Sequence, residues 1–148
     1  MPRMIDLPPL WLAAFIAVVW ALGQRLPLPA FGAAGDLLAL GLAGGAAVLF
    51  TGAVLAMARA RTTVIPHREP RALVTGGVFR LSRNPIYLAD AMLLLAAILW
   101  LDVPLALPLL PAFLWLIRTR FILPEEARLR AAFGAAFEDW SQRVRRWI

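Results

Sequence analysis

One uninterrupted apolar segment constrains the fold of this chain more than any other feature. Residues 37–58 contain no charged side chain. A helix of that length, at about 1.5 Å per residue, crosses the roughly 30 Å hydrocarbon core of a bilayer. The chain is 61% hydrophobic, whereas soluble domains are about 45–50% apolar. We therefore expect an all-α, polytopic integral membrane protein, folded as a single domain over residues 1–148.

The apolar segments predict about four transmembrane helices. Two lie at residues 8–22 and 37–58, and the glycines of the second favour close helix packing; these are Gly41, Gly44, Gly45 and Gly52. Two more lie between residues 86 and 117, split by the sequence Asp102-Val103-Pro104. Each half has only about 15 residues, which is short for a full span. We expect them to form a tight helical hairpin, preceded by two N-terminal helices within residues 1–58.

The charges indicate both a membrane setting and an orientation. The net charge is +6 and all 15 basic residues are arginine. They are concentrated in residues 59–83 and in the tail from Arg118 onward, which the positive-inside rule places in the cytoplasm. Both termini are then cytoplasmic, as in a bacterial inner-membrane protein. Arginines beside apolar segments favour anionic headgroups or ligands over nucleic acid, and the absence of cysteine excludes disulfides and thiolate chemistry.

The tail has the periodicity of a C-terminal amphipathic helix. Pro124, followed by Glu125 and Glu126, is typical of a first helical turn. Large apolar side chains then recur at three- and four-residue spacing: Leu129, Phe133, Phe137, Trp140, Val144 and Trp147. Such a helix is suited to lying on a bilayer surface or on the protein's own core.

The stretch SRNPIY, residues 82–87, marks the start of the third apolar segment. Asparagine is a favoured N-cap and proline a favoured first helical residue, so we expect a helix to begin at Asn84-Pro85. Tyr87 falls in its first turn, where tyrosine is a common interfacial anchor. Arg80 and Arg83 are suited to phospholipid headgroups.

The segments on either side of the hairpin contain groups that can bind a ligand. Thr75-Gly76-Gly77 predicts a turn whose bare backbone can approach one. Because the hairpin returns the chain to the same membrane face, Arg83 and the pair Glu125-Glu126 can be neighbours. Arginine pairs bidentately with a carboxylate, and glutamate pairs with an ammonium or a ribose hydroxyl. The set suits a zwitterionic, amino-acid-like ligand.

The order of these motifs resembles the isoprenylcysteine carboxyl methyltransferase and phospholipid methyltransferase superfamily. The resemblance covers residues 62–148, from LVTGGVFRLSRNPIY through the hairpin to ILPEEARLRAAFGAAFEDWSQRVRRWI. Its specific elements are Arg83-Asn84-Pro85-Ile86-Tyr87, Glu125-Glu126 and Phe133-Gly134. The members of this superfamily are small integral membrane enzymes that use S-adenosylmethionine. The resemblance implies such a methyltransferase, with a lipophilic substrate reached from the bilayer.

The resemblance also implies a cofactor pocket between the segment before the third helix, the hairpin and the last helix, within residues 59–148. Its cofactor-binding residues would be Gly76, Gly77, Arg83, Asn84, Pro85, Tyr87, Glu125 and Glu126. Arg83 and Tyr87 would be the catalytic residues, and no metal is expected. Relatives often have histidine where this chain has Asn84, and asparagine cannot act as an acid or base near neutral pH.

Three further polar residues need an interpretation. His67 and Asp90 each have a functional and a structural one, and Asp102 has only a structural one. His67 is either a base for an amine acceptor or a packing residue of its loop. Asp90 is costly in lipid and should face protein or a polar cavity, where it contacts cofactor or substrate or pairs with an arginine. Asp102 is expected to be a solvated capping residue at the tip of the hairpin.

The sequence leaves alternatives open for both the methyl acceptor and the activity of the protein. The methyl acceptor is either the carboxylate of a prenylated cysteine-like compound or a lipid amine. A membrane reductase using NADPH and a non-catalytic membrane adaptor are the alternative functions. The oligomeric state is not determined by the sequence.

Overall fold

All regular secondary structure in the described part of the chain is helical. The computed structural model describes residues 6–62 and 70–148, and the predicted all-α class is confirmed for these ranges. The α-helices are α1 (Pro8–Arg25), α2 (Gly32–Arg59), α3 (Pro85–Trp100), α4 (Leu109–Ile117), α5 (Leu123–Phe133) and α6 (Ala135–Arg143). Short 3-10 helices cover Gly77–Arg80 and Pro104–Ala106, and a π-helical turn, Arg118–Ile122, joins α4 to α5.

The helix α3 lies at the centre of the bundle. Both α1 and α2 pack mainly on α3 rather than on each other. The hairpin then brings the chain back, because Phe121, just after α4, lies with its ring 6.3 Å from that of Tyr87 at the start of α3. The core between the arms is apolar and fully buried, as at Leu94 and Phe113. The expected hairpin is therefore present.

Among the described residues, two helical runs are long and apolar enough to cross a bilayer, Gly32–Arg59 and Pro104–Phe133. On α2, aliphatic side chains face outward, with Leu37 71% and Val48 69% exposed. Burial in lipid would remove this apolar surface from water. The helix α3 has 16 residues, fewer than the roughly 20 of a full span. The number of four spans stays a prediction.

The second arm of the hairpin is longer than expected. The sequence predicted a helix ending near residue 117 and a separate helix beginning at Pro124, whereas α4, the π-helical turn and α5 form one continuous run to Phe133. A proline inside a helix lacks its N–H and crowds the carbonyl four residues back. The π-helical turn directly before Pro124 widens the backbone there, so the helix continues.

The C-terminal amphipathic segment is two helices instead of one. Gly134 has a φ of +51°, in the left-handed region that favours glycine, and it separates α5 from α6. Phe137 and Trp140 of α6 pack with Ala53 of α2 and with Phe79. The apolar face therefore lies on the protein's own core.

The glycines of α2 divide into two pairs. A Cβ at Gly45 would lie 2.8 Å from the Met92 side chain, and one at Gly52 would lie 2.8 Å from that of Val78. The predicted packing role is confirmed for these two. Gly41 and Gly44 have no such neighbour within 4 Å in the described part of the chain.

Asp102 is a capping residue, as expected, and the helix that it caps is α2. Its carboxylate accepts the backbone N–H groups of Ala30 and Phe31 at 2.8 Å each, and that of Gly32 at 3.3 Å. These residues form the N-terminus of α2. Asp102 therefore fastens the α1–α2 connection to the far end of α3.

Candidate active site

The start of α3 is where the sequence placed it. The helix begins at Pro85, with Asn84 in the N-cap position. The Asn84 side chain, however, makes no capping hydrogen bond. Its Nδ2 instead donates to the backbone carbonyl of Arg146 at 2.9 Å. Asn84 therefore ends the preceding loop and also holds the C-terminal tail.

The hairpin brings α5 against the first turn of α3. The Tyr87 hydroxyl donates to Glu125 Oε2 at 3.1 Å, and Tyr87 is only 7% exposed. This distance is short enough for a hydrogen bond from a phenol. The bond therefore orients the Glu125 carboxylate. The two sides of the hairpin are thus in contact here, and the predicted neighbours Arg83 and Glu126 also meet, with Arg83 Nη2 3.4 Å from Glu126 Oε1.

Glu126, the next residue, is held by two arginines. Arg146 Nε donates to Glu126 Oε1 at 2.9 Å, and Arg146 Nη2 donates to Oε2 at 2.8 Å. Arg83 Nη2 lies 3.4 Å from Oε1. The forked contact of Arg146 matches the carboxylate bidentately, which is the strongest arrangement of such a pair. Both oxygens of Glu126 are therefore engaged within the protein.

The two arginines differ in their electrostatic surroundings. Burial lowers the pKa of the Arg83 guanidinium, and the nearby Glu126 carboxylate partly offsets this. The hydrogen bonds to Glu126 raise the pKa of Arg146. Because the ordinary pKa of arginine lies far above neutral, both side chains stay positively charged.

A cavity of about 260 Å³ opens beside this network. Its polar wall is formed by the start of α3 and by α5. Its apolar wall is formed by the start of α1 and the C-terminal half of α2. The polar lining residues are Arg83, Asn84, Tyr87, Asp90 and Glu125, and the apolar ones are Leu7, Pro8, Pro9, Phe50, Val54, Met57, Phe79, Pro85 and Ile86. The cavity can hold a molecule with one charged and one apolar part.

Two buried charged groups on the polar wall are incompletely bonded. Arg83 Nε and Asp90 Oδ2 have no hydrogen-bond partner among the described residues. Asp90 is 6% exposed. Buried polar atoms in folded proteins are nearly always hydrogen-bonded, so such atoms on a cavity wall are candidate ligand contacts.

The structure places the other predicted site residues outside this cavity. Gly76 and Gly77 line a separate cleft against the end of α2, together with Arg59 and Val74. Gly77 has a φ of +58°, which explains the glycine by backbone geometry. Glu126 does not line the cavity either. His67 lies outside the described residues.

Sequence reasoning did not single out two parts of the site. One is Arg146, which resembles its neighbours Arg143 and Arg145 in the sequence. The other is the wall formed by the start of α1, which is held where Arg120 Nε donates to both oxygens of Asp6, at 2.8 and 2.9 Å. Neither contact has a local sequence signal, because each joins residues far apart in the chain.

The fold and cavity define a class, namely a small helical membrane-associated protein with a charged cavity wall facing an apolar one. A model of the phospholipid methyltransferase family matches residues 36–136. Because the match covers more than half of the chain, the chain belongs to this family, which implies methyltransferase activity. The match begins in α2, earlier than the resemblance seen in the sequence, and ends in α6. No curated protein and no solved structure matches the chain significantly.

Proposed function

We propose that the protein transfers the methyl group of S-adenosylmethionine to a lipophilic acceptor at the cytoplasmic face of a membrane. The observation that carries this proposal is the pair of buried, incompletely bonded groups, Arg83 and Asp90, on the polar wall of the cavity. Together with family membership, they favour a charged small molecule held against the start of α3.

The charges of the wall fit this cofactor. S-adenosylmethionine carries a sulfonium, an ammonium and a carboxylate, and so one net positive charge. The polar wall of the cavity carries one arginine, Arg83, and two carboxylates, Asp90 and Glu125. Arg83 would hold the cofactor's carboxylate, and Glu125, oriented by Tyr87, would hold a cationic group. The bound cofactor supplies a methyl group already activated on sulfur.

The apolar wall fits a hydrocarbon chain. Phe50, Val54 and Met57 of α2 face the cavity, together with Leu7 and Pro8. Phe50 is also 48% exposed, which supports a wall that opens toward the surface proposed to face lipid. Ligand sites are commonly about 300–1,000 Å³. A cavity of about 260 Å³ therefore holds the reacting ends of donor and acceptor, while the acceptor's chain lies in lipid.

The carboxylates of the wall favour a lipid amine as acceptor over a carboxylate. A protonated amine pairs with Asp90, whose free oxygen can accept the proton that the nitrogen must lose before it attacks the methyl group. A carboxylate acceptor would approach two like charges, Asp90 and Glu125, which repel it. Asn84 cannot take a proton, and no other residue of the proposed mechanism needs to titrate. The protein otherwise acts by aligning donor and acceptor and excluding water.

A ligand titration tests the proposal. The purified protein in lipid nanodiscs would be titrated by calorimetry with S-adenosylmethionine, S-adenosylhomocysteine and NADPH. We expect both adenosyl ligands to bind and NADPH to give no measurable heat of binding. Binding of NADPH alone would support a reductase, and no binding of any ligand would support a non-catalytic adaptor.

A turnover assay then separates the two acceptor classes. Labelled S-adenosylmethionine would be supplied with vesicles containing phosphatidylethanolamine or with an N-acetylated farnesylcysteine. We expect label in the amine lipid. Label only in the farnesylcysteine would reverse the assignment of the acceptor while leaving the methyltransferase itself in place.

A further inference from the structure

The C-terminal tail after α6 lies directly on the segment that precedes α3. The backbone N–H of Arg83 donates to the backbone carbonyl of Arg145 at 3.0 Å. The Arg146 carbonyl accepts from Ser82 Oγ at 3.3 Å and from Asn84 Nδ2 at 2.9 Å. The tail is extended where it leaves α6, with Val144 at φ −120° and ψ 126°. Residues 82–84, at the edge of the cavity, are therefore held from outside by the tail.

The side chain of Arg146 adds a second connection, to α5. Its guanidinium bonds both oxygens of Glu126, at 2.9 and 2.8 Å. Arg146 thus ties α5 to the segment before α3, and both of these elements contribute residues to the polar wall of the cavity. Arg146 lies beyond residue 136, where the family match ends.

The geometry around Glu126 shows a competition between two arginines. Arg83 Nη2 approaches Glu126 Oε1 at 3.4 Å, longer than an ordinary charged hydrogen bond of about 2.7–2.9 Å. Arg83 Nε has no hydrogen-bond partner in residues 6–62 and 70–148, and Arg83 lines the cavity. If Arg146 were absent, Glu126 would be free to bond Arg83 with both oxygens and draw its guanidinium away from the cavity. Arg146 therefore keeps Arg83 available.

We propose that Arg146 is a positioning residue: it occupies Glu126 and so leaves the Arg83 guanidinium free to bind the carboxylate of an amino-acid-like ligand. This inference rests on the proposed function, since it assigns to Arg83 the cofactor's carboxylate. It also gives the tail, residues 144–148, a place in the site framework.

The tail offers a matched pair of variants. Arg146→Ala removes the contact to Glu126, whereas Arg145→Ala removes the same charge from an exposed side chain whose residue contributes its carbonyl. Trp147 packs against the main core cluster, so the tail stays anchored in both variants. Arg146→Lys keeps the charge but loses the fork.

The first measurement needs no ligand. In the selectively labelled ligand-free protein, NMR reports the Arg83 Nε–H signal and its exchange with water. We expect the signal to change in Arg146→Ala, as Nε becomes bonded to Glu126, and to stay unchanged in Arg145→Ala. If the Arg83 Nε–H signal of Arg146→Ala is the same as that of Arg145→Ala, Arg146 and Arg83 do not compete for Glu126.

The second measurement is the Kd of S-adenosylhomocysteine by calorimetry. We expect Arg146→Ala to weaken binding about tenfold, Arg146→Lys to recover part of the loss, and Arg145→Ala to bind like wild type. In a Glu126→Gln background, Arg146→Ala should have little further effect. Equal Kd values in Arg146→Ala and Arg145→Ala would overturn the positioning role. A wild-type protein that does not bind the ligand would instead overturn the proposed function, and the Arg83 signal would still decide the competition.

Discussion

The two ends of α3 are each fastened by a carboxylate that reaches a segment distant in sequence, and the candidate active-site cavity lies at one of them. At the far end, Asp102 accepts the N–H groups of Ala30, Phe31 and Gly32. At the near end, Glu126 is bonded by Arg146 and approached by Arg83. Each contact joins two elements of the bundle that do not follow one another directly along the chain.

The difference between the ends lies in what remains unbonded. At the Asp102 end, the carboxylate accepts three backbone N–H groups from the described residues. At the near end, Arg83 and Asp90 line a cavity, and their Nε and Oδ2 atoms are buried without a hydrogen-bond partner in the described residues. A complete network stabilises structure, whereas buried charges without partners are costly unless a ligand pairs with them. Asp102 is therefore a structural carboxylate, whereas Asp90 and Glu125 are proposed to bind ligand.

The largest effect is expected at Asp90. Asp90→Asn keeps the size of the side chain but cannot accept a proton from an amine. We expect kcat/KM for an amine lipid to fall about a hundredfold, as is typical when a general base is lost, with little change in the Kd of S-adenosylhomocysteine. Methyl transfer to vesicles provides the measurement.

Asp36→Asn is the matched control, because Asp36 is exposed near the start of α2. It should retain wild-type turnover. If both variants methylate the amine lipid at the wild-type rate, Asp90 has no part in the reaction.

An intermediate effect is expected at Arg83. Arg83→Ala removes the cation proposed to bind the cofactor's carboxylate, and a hydrogen bond to a charged group contributes about 1.5–3 kcal/mol. We expect the Kd of S-adenosylhomocysteine to rise about thirtyfold in calorimetry. The control is Arg80→Ala, three residues earlier and exposed, which should bind like wild type. Equal affinities in the two variants would place the ligand elsewhere.

The smallest effect on function is expected at Asp102. Hydrogen bonds from the backbone N–H of Ala30, and then of Phe31, hold the pKa of Asp102 below its usual range. A carboxyl whose pKa is lowered by folding stabilises the folded state fully above its unfolded pKa of about 3.9, and this contribution is lost as the pH falls through the folded pKa. We expect a stability loss below about pH 4 that Asp102→Asn lacks.

Thermal unfolding of both proteins across this pH range measures the difference. Asp102→Asn should unfold at a lower temperature than wild type at neutral pH, while its Kd for S-adenosylhomocysteine stays the same. A change in Kd would show that the two ends of α3 are coupled and that the comparison between them is too simple.

The helices were predicted best where the signal is local. The charge-free run of α2 and the Asn84-Pro85 start of α3 depend on composition and on capping rules that act within a turn. Pro124 lies in the first turn of α5 as predicted, with Glu125 and Glu126 beside it, but the prediction missed that α5 is continuous with α4. The π-helical turn before Pro124 lets α4 continue into α5, and that turn has no sequence signal of its own.

The site was predicted in part for the same reason. The hairpin explains why Tyr87 meets Glu125, since an antiparallel return brings these residues together. The pairing of Glu126 with Arg146 could not be predicted, because three arginines near the C-terminus are equivalent in the sequence. The break at Gly134 and the path of the tail after α6 select one of them.

The sequence by itself determined the helical class, the membrane setting and the family, because hydropathy and motif order are properties of the chain alone. Only the tertiary structure decided which charges are already paired. Glu125 and Glu126 are adjacent in sequence, yet Glu125 faces the cavity and Glu126 bonds Arg146. Neighbouring residues on a helix point about 100° apart, so what each one meets depends on the segments packed around it.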